Sequence, residues 1–253
     1  MGVTLITGAS AGLGAEFARQ CAARGEALAL VARRCDRMEA LAGEIGGKVH
    51  IFEADLAKEG AAASLVAALG AEGLAVDTLI NNAGFGLAGK FADQPLGRLT
   101  EMLDLNCRTL TELCHLVLPG MRERGRGAIL NVASTAAFQP GPNMAVYYAS
   151  KAYVLSFTEA LHHELKNSGI KVSALCPGPT TSEFSDVANS HSPTLERMKM
   201  PAGPVVRAGL DGLDGNKAVV IPGWRNKIGA QASRFLTRAA MRRIIGRIKV
   251  EAP

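Results

Sequence analysis

A hydroxyl, a phenol and an amine lie within one stretch of the chain, at Ser134, Tyr147 and Lys151. Residues four apart on a helix share a face, so the Lys151 ammonium would lie beside the Tyr147 phenol. A phenol has a reference pKa of about 10 and exchanges protons poorly near neutral pH unless a cation favours the phenolate. The spacing therefore favours acid–base chemistry at Tyr147. A helix start with a solvated lysine is the alternative explanation of the same pattern.

A glycine-rich turn follows the first apolar run of the sequence. Glycines between a strand and a helix let the backbone approach a pyrophosphate, and a helix N-terminus offers free N–H groups to the anion. A tight connection without a ligand is the alternative. The turn reads Thr7-Gly8-Ala9-Ser10-Ala11-Gly12-Leu13-Gly14, and we predict that it binds the phosphates of a dinucleotide.

The end of the second strand indicates which dinucleotide is bound. An acidic side chain at this point would bind the ribose 2′-hydroxyl of NAD, whereas a guanidinium suits a 2′-phosphate. Arg33 occupies the position and Arg34 follows it, while the nearest acid, Asp36, lies inside the next helix. NADP(H) is therefore favoured over NAD(H), with the Ser10 hydroxyl assisting, although a solvated arginine pair would look the same. Asp55, after the third strand, could accept a hydrogen bond from adenine or cap a helix.

Two further polar sites follow along the chain. Asn81-Asn82-Ala83-Gly84 ends the fourth strand, and its amides need partners there, so they either join the sheet to a cofactor or brace the central strands. Asn106 lies among leucines in a long helical segment, where a solvent-facing position is the default expectation.

Short apolar runs alternate with helical segments throughout the sequence. Such runs, separated by helices, indicate a parallel sheet covered on both faces. With no Pro/Ser-rich linker, we expect residues 1–253 to form a single domain. The predicted strands are Val3–Thr7, Ala27–Ala32, Val49–Glu53, Thr78–Asn81, Ala128–Val132, Lys171–Leu175 and Ala218–Ile221. The predicted helices are Ala15–Arg24, Asp36–Ile45, Ala61–Leu69, Leu99–Arg122 and Tyr148–Lys166.

Composition narrows the class of protein. Apolar residues make up 48% and charged residues 20% of 253, as in soluble globular proteins. No apolar run approaches the roughly 18 residues of a membrane span, and the strand-like start leaves no room for a signal peptide.

Five cysteines without a C-x-x-C pair fit free thiols in a reducing cytosol, so we expect a cytoplasmic protein without a metal site. Residues 221–253 carry eight Lys/Arg and one acid, and the near-neutral remainder disfavours nucleic-acid binding.

In combination these motifs resemble those of the classical short-chain dehydrogenase/reductases, over roughly residues 2–222. The resemblance implies a doubly wound, Rossmann-type, three-layer α/β fold with a seven-stranded parallel sheet. It also implies hydride transfer between a nicotinamide and a carbonyl or secondary alcohol, in a homodimer or homotetramer. The residues that carry it are Thr7-Gly8-x-x-x-Gly12-x-Gly14, Asn81-Asn82-Ala83-Gly84, Asn106, Ser134, Tyr147-x-x-x-Lys151 and Pro177-Gly178.

The resemblance also implies a role for each catalytic candidate. Tyr147 would donate the proton in reduction and accept it in oxidation, and Lys151 would lower the phenol pKa and hold the nicotinamide ribose. Ser134 would hydrogen-bond the substrate oxygen, and Asn106 would hold a water behind the lysine. Tyr148 does not fit the same motif, because only two residues separate it from Lys151, whereas three separate Tyr147 from Lys151. The implied cofactor contacts are Gly8, Ser10, Ala11, Gly12, Leu13, Arg33, Arg34, Asp55, Leu56, Asn82, Ala83, Gly84, Tyr147, Lys151, Pro177, Gly178 and Thr180. A non-catalytic NAD(P)-binding sensor or scaffold is the alternative, disfavoured because all four catalytic candidates are present.

Two further segments are candidates for binding the substrate and for contacting partners. Residues 181–201 are predicted to be the substrate loop, and Phe85, Phe138 and Phe184 either line an apolar pocket or pack in the core. In the basic tail, 224–253, we expect two short helices or a bend near 239–241, packed on the body or on a partner subunit. Peripheral contact with an acidic membrane surface is the alternative. The tail has two apolar stripes, Ile228, Ala232, Phe235 and Ala239, then Met241, Ile244, Ile245 and Ile248.

Overall fold

Seven parallel strands form the centre of the molecule. The computed structural model of the chain describes residues 1–188, 190 and 196–246. The strands are ordered β3-β2-β1-β4-β5-β6-β7, and each neighbouring pair is parallel. They are β1 (Gly2–Thr7), β2 (Leu28–Ala32), β3 (Val49–Glu53), β4 (Ala75–Asn81), β5 (Gly127–Val132), β6 (Ile170–Leu175) and β7 (Val219–Val220). The predicted doubly wound, seven-stranded fold is confirmed, and each predicted strand overlaps an observed one.

Helices cover both faces of this sheet. They are α1 (Gly12–Ala23), α2 (Cys35–Ile45), α3 (Ala61–Ala71), α4 (Leu96–Leu103), α5 (Leu110–Glu123), α6 (Ala145–Glu164), α7 (Phe184–Val187), α8 (Ala202–Asp214), α9 (Trp224–Phe235) and α10 (Arg238–Gly246). On one face Leu65, Leu113 and Val154 belong to one apolar cluster. On the other, Phe17 and Leu210 belong to a second. The central strands are therefore largely apolar because they are buried on both sides, as β2 is throughout.

The long helix predicted over Leu99–Arg122 is interrupted. A wider π-helical turn, Asp104–Thr109, separates α4 from α5. It brings two polar side chains inward, because Thr109 donates through Oγ1 to the Leu56 carbonyl at 2.6 Å and Asn106 bonds the main chain of Phe85. Such turns are common at functional sites. The default expectation of a solvent-facing Asn106 is therefore wrong.

The strand order reverses between β1 and β4, which creates a crevice at the carboxyl ends of the strands. β1 pairs with β2 on one side and with β4 on the other. In open parallel sheets, ligands bind outside the strand ends at such a switch point. At the ends of β4 and β5, Asn81 donates to Asn131 at 2.9 Å, and Asn131 donates to Thr158 in α6 at 3.0 Å. Asn81 therefore braces the central strands, while Asn82 faces the crevice.

Candidate active site

The glycine-rich turn is fixed to the end of β4 by the residues around it. Asn82 donates through Nδ2 to the carbonyls of Thr7 at 2.9 Å and Gly8 at 3.3 Å. The Thr7 hydroxyl accepts in return from the main-chain N–H groups of Asn82 and Ala83, at 3.0 and 2.9 Å. The turn is thus held rigidly across the crevice, and Asn82 and Ala83 support it from beneath.

The turn has the shape that a bound phosphate requires. A Cβ on Gly14 would lie 2.1 Å from the Gly8 carbonyl oxygen, so no larger residue fits there without moving the backbone. Gly8 itself adopts a φ of 67°, in the left-handed region that favours glycine. The N-terminus of α1 has no side-chain cap, which leaves its N–H groups available to an anion. These residues fit a dinucleotide pyrophosphate.

A cluster of basic groups stands beside the turn. The Arg34 guanidinium donates to Ser10 Oγ at 3.2 and 3.1 Å and to Glu183 at 2.9 Å. Arg37, on the first turn of α2, donates to the other oxygen of Glu183 at 2.5 Å. Both arginines hold the pKa of the Glu183 carboxyl below its usual range, Arg37 more strongly. Arg34 and Arg37 thus already bind one anionic group, and the Ser10 hydroxyl holds the Arg34 guanidinium in place.

Arg33 has a different partner from Arg34 in the structure. Its guanidinium is 65% exposed and lies 3.7 Å from Glu101, apart from Ser10. The chain bends at Arg33, directly after β2, and the two guanidinium groups reach Glu101 and Glu183 respectively. Arg37 was missed, although its position three residues after Arg34 at a helix start was a usable signal.

The other predicted cofactor residues follow the carboxyl ends of β3 and β6. Asp55 Oδ1 accepts from the Ala57 N–H at 3.2 Å, and Leu56 is buried. The Pro177 carbonyl accepts from the Thr135 N–H at 2.8 Å, so it borders the segment after β5. Gly178 faces the side chain of Asn226 in α9, and Thr180 donates through Oγ1 to the Gly178 carbonyl at 3.0 Å.

Tyr147 and Lys151 lie on one face of α6, as their spacing predicts. Both side chains are buried, with 8% and 5% exposure. Lys151 Nζ lies 6.0 Å from the centre of the Tyr147 ring and donates to the Val132 carbonyl at 2.8 Å. Ser134 caps the short helical turn 135–138 through a hydrogen bond from the Ala136 N–H, at 3.1 Å. The hydroxyl, the phenol and the amine therefore converge beside the crevice.

Asn106 joins this group through the main chain and Ser150. Its Oδ1 accepts from the Phe85 N–H at 3.1 Å, and its Nδ2 donates to the Phe85 carbonyl at 3.0 Å. The same Nδ2 reaches Ser150 Oγ at 3.1 Å, and Ser150 donates to the Tyr147 carbonyl at 2.7 Å. The π-turn is thereby tied to the first turns of α6. Ser150 was not singled out from the sequence, although it directly precedes Lys151.

Burial determines the protonation of both central groups. It raises the pKa of the Tyr147 phenol, an effect that hydrogen bonding with Ser134 partly opposes. It lowers the pKa of Lys151 to about 8. The direction at Tyr147 is opposite to the one expected from a neighbouring ammonium, because desolvation acts on the phenol oxygen directly. Burial therefore favours the neutral form of the Tyr147 phenol.

An apolar surface adjoins the Tyr147 ring. The Phe184 ring lies 5.2 Å from it, centre to centre, and Phe85 and Met144 belong to the same cluster. A Cβ on Gly86 would lie 2.9 Å from the Phe184 ring, so Phe184 closes over bare backbone. Of the three predicted pocket residues, Phe85 and Phe184 lie beside Tyr147. Phe138 packs against the main core cluster, which was the other alternative for this residue.

Two absences concern the described part of the chain. Among residues 1–188, 190 and 196–246, no group of three or more His, Cys, Asp or Glu side chains is placed to hold a metal ion. Within the same ranges, none of the helices combines the length and apolar character that crossing a membrane would need. Positions 189 and 191–195 of the predicted substrate loop lie outside the described residues.

Replacing Lys151 by methionine is expected to stabilise the ligand-free protein, because a buried ammonium is desolvated. Its folded pKa lies below its unfolded pKa, so the wild type gains stability as pH rises from about 8 toward 10.5. At pH 7 we expect Lys151→Met to raise Tm by about 2–4 °C for each kcal/mol of desolvation cost that it removes. In a series of thermal melts, the difference in Tm between variant and wild type should become smaller above pH 8. A lower Tm for the variant at pH 7 would contradict this.

Comparison with known proteins places the chain among oxidoreductases. The sequence model described as short chain dehydrogenase matches residues 2–193. The chain is 34% identical over 192 residues to a very-long-chain 3-oxoacyl-CoA reductase of Anas platyrhynchos, covering 73% of the chain and 61% of that relative. It is 35% identical over 187 residues to an NADP-dependent 3-hydroxy acid dehydrogenase of Escherichia coli, covering 73% and 75%. A short-chain dehydrogenase from Sphingobium yanoikuyae, solved in complex with NADPH, has a TM-score of 0.81 at 34% identity, covering 93% and 95%.

Proposed function

The chain belongs to the short-chain dehydrogenase family of hydride-transferring oxidoreductases, and we propose that it interconverts a carbonyl compound and its secondary alcohol with NADP(H). The observation that carries this proposal is the convergence of Ser134, Tyr147 and Lys151 beside a crevice that fits a dinucleotide. The comparisons give no support to the alternative of a non-catalytic sensor or scaffold.

The proposed chemistry follows from the protonation of these side chains. A bound reduced nicotinamide supplies the hydride that reaches the carbonyl carbon. The Ser134 and Tyr147 hydroxyls hold the carbonyl oxygen, and the neutral phenol of Tyr147 donates the proton as negative charge develops there. The Lys151 ammonium stabilises the phenolate that remains. In oxidation the same groups act in reverse, with the phenolate accepting the alcohol proton.

Asn106 is proposed to act as a positioning residue. Its bonds to Phe85 and Ser150 connect the end of β4 to α6. Loss of these bonds would release the first turn of α6, and misplacement of a catalytic group by about 1 Å can cost about 100-fold in rate. The expected role in holding a water behind Lys151 remains part of this proposal.

NADP(H) is the proposed cofactor. Arg34 and Arg37 already bind a carboxylate beside the phosphate-binding turn, with Arg34 also bonded to Ser10, and planar guanidinium groups suit a phosphate. The Escherichia coli relative is named as NADP-dependent and the Sphingobium protein was solved with NADPH. With Arg34 and Arg37 as the main contacts, Arg33 becomes the lesser one.

The substrate is proposed to be a small carbonyl compound or alcohol with an apolar group next to the reacting carbon. The surface beside Tyr147 consists of Phe85, Met144 and Phe184, and the Arg98 guanidinium lies 4.6 Å from the centre of the Phe85 ring. Phe184 belongs to the segment 181–201, which we propose selects the substrate. A cytoplasmic location, a single domain and a homodimer or homotetramer remain predictions.

A carbonyl screen tests this function. Purified protein is incubated with NADPH and a series of ketones and aldehydes of increasing apolar size, and NADPH absorbance is followed. We expect turnover that improves with apolar substituents. NADPH binding, measured by its fluorescence, without turnover of any substrate in either direction would instead favour the non-catalytic alternative.

A further inference from the structure

The helix α9 is fixed to the body by one face. On that face Asn226 lies against Gly178 and donates through Nδ2 to the Pro222 carbonyl at 2.8 Å, and Ala230 is buried. The helix packs against the turn 135–138, which follows Ser134. α10 is fixed in turn through the buried Met241. These contacts set which side of each helix faces outward.

The outward side of α9 carries large apolar residues that contact little. Trp224, Ile228 and Phe235 are 67%, 60% and 86% exposed. At 3.6 residues per turn, these three positions fall within about 40° of one another around the helix axis. They form an apolar stripe that the exposed Gln231 interrupts between Ile228 and Phe235, and the exposed Leu236 extends it beyond the helix end. Burial of such side chains is favourable wherever an apolar phase is available.

Positive charge lies along both sides of this stripe. Arg225 projects on one side of it, and Lys227 and Arg234 project on the other. α10 adds exposed basic side chains, and residues 221–246 contain no Asp or Glu. The basic residues of the two helices are Arg225, Lys227, Arg234, Arg238, Arg242 and Arg243.

This arrangement matches one kind of surface. A helix with an apolar stripe flanked by Lys and Arg lies in the plane of an anionic bilayer, with the stripe buried about 5–10 Å deep. A second copy of the chain would place the same positive charges opposite one another in a two-fold contact, which is costly. A bilayer needs no matching pocket for Phe235 and supplies the opposite charge. We propose that α9 and α10 dock the protein on anionic lipid membranes.

The proposal alters the expectation for the tail. Only the inner faces, with Ala230 and Met241, pack on the body, and the outer stripe is left for lipid. The helices separate at Leu236 and Thr237, earlier than the predicted bend at 239–241, because Thr237 Oγ1 caps α10 by accepting from the Ala240 N–H at 3.2 Å. Ile248, assigned to the second stripe, lies outside the described residues.

Vesicle binding of the full-length protein tests the docking surface. Trp224 is the sole tryptophan, so its fluorescence reports on the stripe directly. With phosphatidylglycerol vesicles we expect co-sedimentation and a blue shift of emission, both weakened by salt. Arg225→Gln/Lys227→Gln/Arg234→Gln should reduce the partition coefficient about 100-fold, since each basic residue near the surface contributes roughly fivefold. Replacing Ile228 and Phe235 by serine should abolish the blue shift.

A charge-matched control separates local docking from net charge. Lys48→Gln/Lys58→Gln/Lys166→Gln removes three exposed positive charges from elsewhere on the protein and should leave vesicle binding within about twofold of wild type. Equal binding to phosphatidylcholine vesicles, or none to either, would overturn the proposal. So would dissociation of a wild-type oligomer by the Ile228→Ser/Phe235→Ser variant in lipid-free sedimentation, because the stripe would then be a subunit interface. Vesicle binding is measured without substrate, so it stands apart from catalysis.

Discussion

Tyr147→Phe is expected to lower kcat/KM for carbonyl reduction by about 10²–10⁴-fold, because positioned general acids contribute about that much. The substitution removes one oxygen and keeps the ring, which packs 5.2 Å from Phe184. Affinity for NADPH should therefore change little. Steady-state kinetics with a carbonyl substrate and fluorescence titration with NADPH measure the two quantities separately.

The neighbouring phenol provides the control for this variant. Tyr148 lies 6.1 Å from Tyr147, ring centre to ring centre, and burial raises its pKa as well. Tyr148→Phe should retain activity within about threefold, since changes away from the reacting atoms have small effects. If Tyr147→Phe turned over the substrate at a near wild-type rate, the assignment of the proton donor would be wrong. Equal losses in both variants would point to a packing defect at the start of α6.

Much of the fold could be predicted because it depends on local patterns. β3 was predicted with its exact bounds, Val49–Glu53, and β5 to within one residue at its start. Parallel strands buried on both faces give continuous apolar runs, and these are visible without knowledge of their partners. Tyr147 and Lys151 likewise lie on one face of α6, as predicted, because a helix fixes which residues share a face.

The features that sequence reasoning missed depend on contacts between distant segments. The π-turn at Asn106 forms where its amide meets Phe85 and the Thr109 hydroxyl meets Leu56, and neither contact has a local signature. For Phe138, residue type alone could not distinguish a pocket position from the core packing that the structure shows. Arg37 became relevant only once Glu183, from a distant loop, lay between it and Arg34.

The double variant Arg34→Ala/Arg37→Ala is expected to weaken NADPH binding about 100-fold and NADH binding by less than about threefold. A hydrogen bond to a charged group contributes about 1.5–3 kcal/mol, and tenfold in affinity corresponds to about 1.4 kcal/mol. We take the lower end of that range because both side chains are nearly half exposed, at 43% and 46%. Titration of each cofactor at fixed ionic strength measures the effect.

Glu183 makes this prediction sharper, because its carboxylate occupies both arginines in the ligand-free protein. Glu183→Gln removes the competing charge, so NADPH should bind more tightly, while NADH should bind about as it does to wild type. Arg33→Ala is the matched control, and since Arg33 lies toward Glu101 its loss should matter less than that of Arg34. If Arg33→Ala weakened NADPH binding most, or the double variant lost NADH equally, the 2′-phosphate would not lie between Arg34 and Arg37. The 2′-phosphate would be located between Arg34 and Arg37 if the arginine variant weakened NADPH binding, the glutamate variant strengthened it, and neither changed NADH binding.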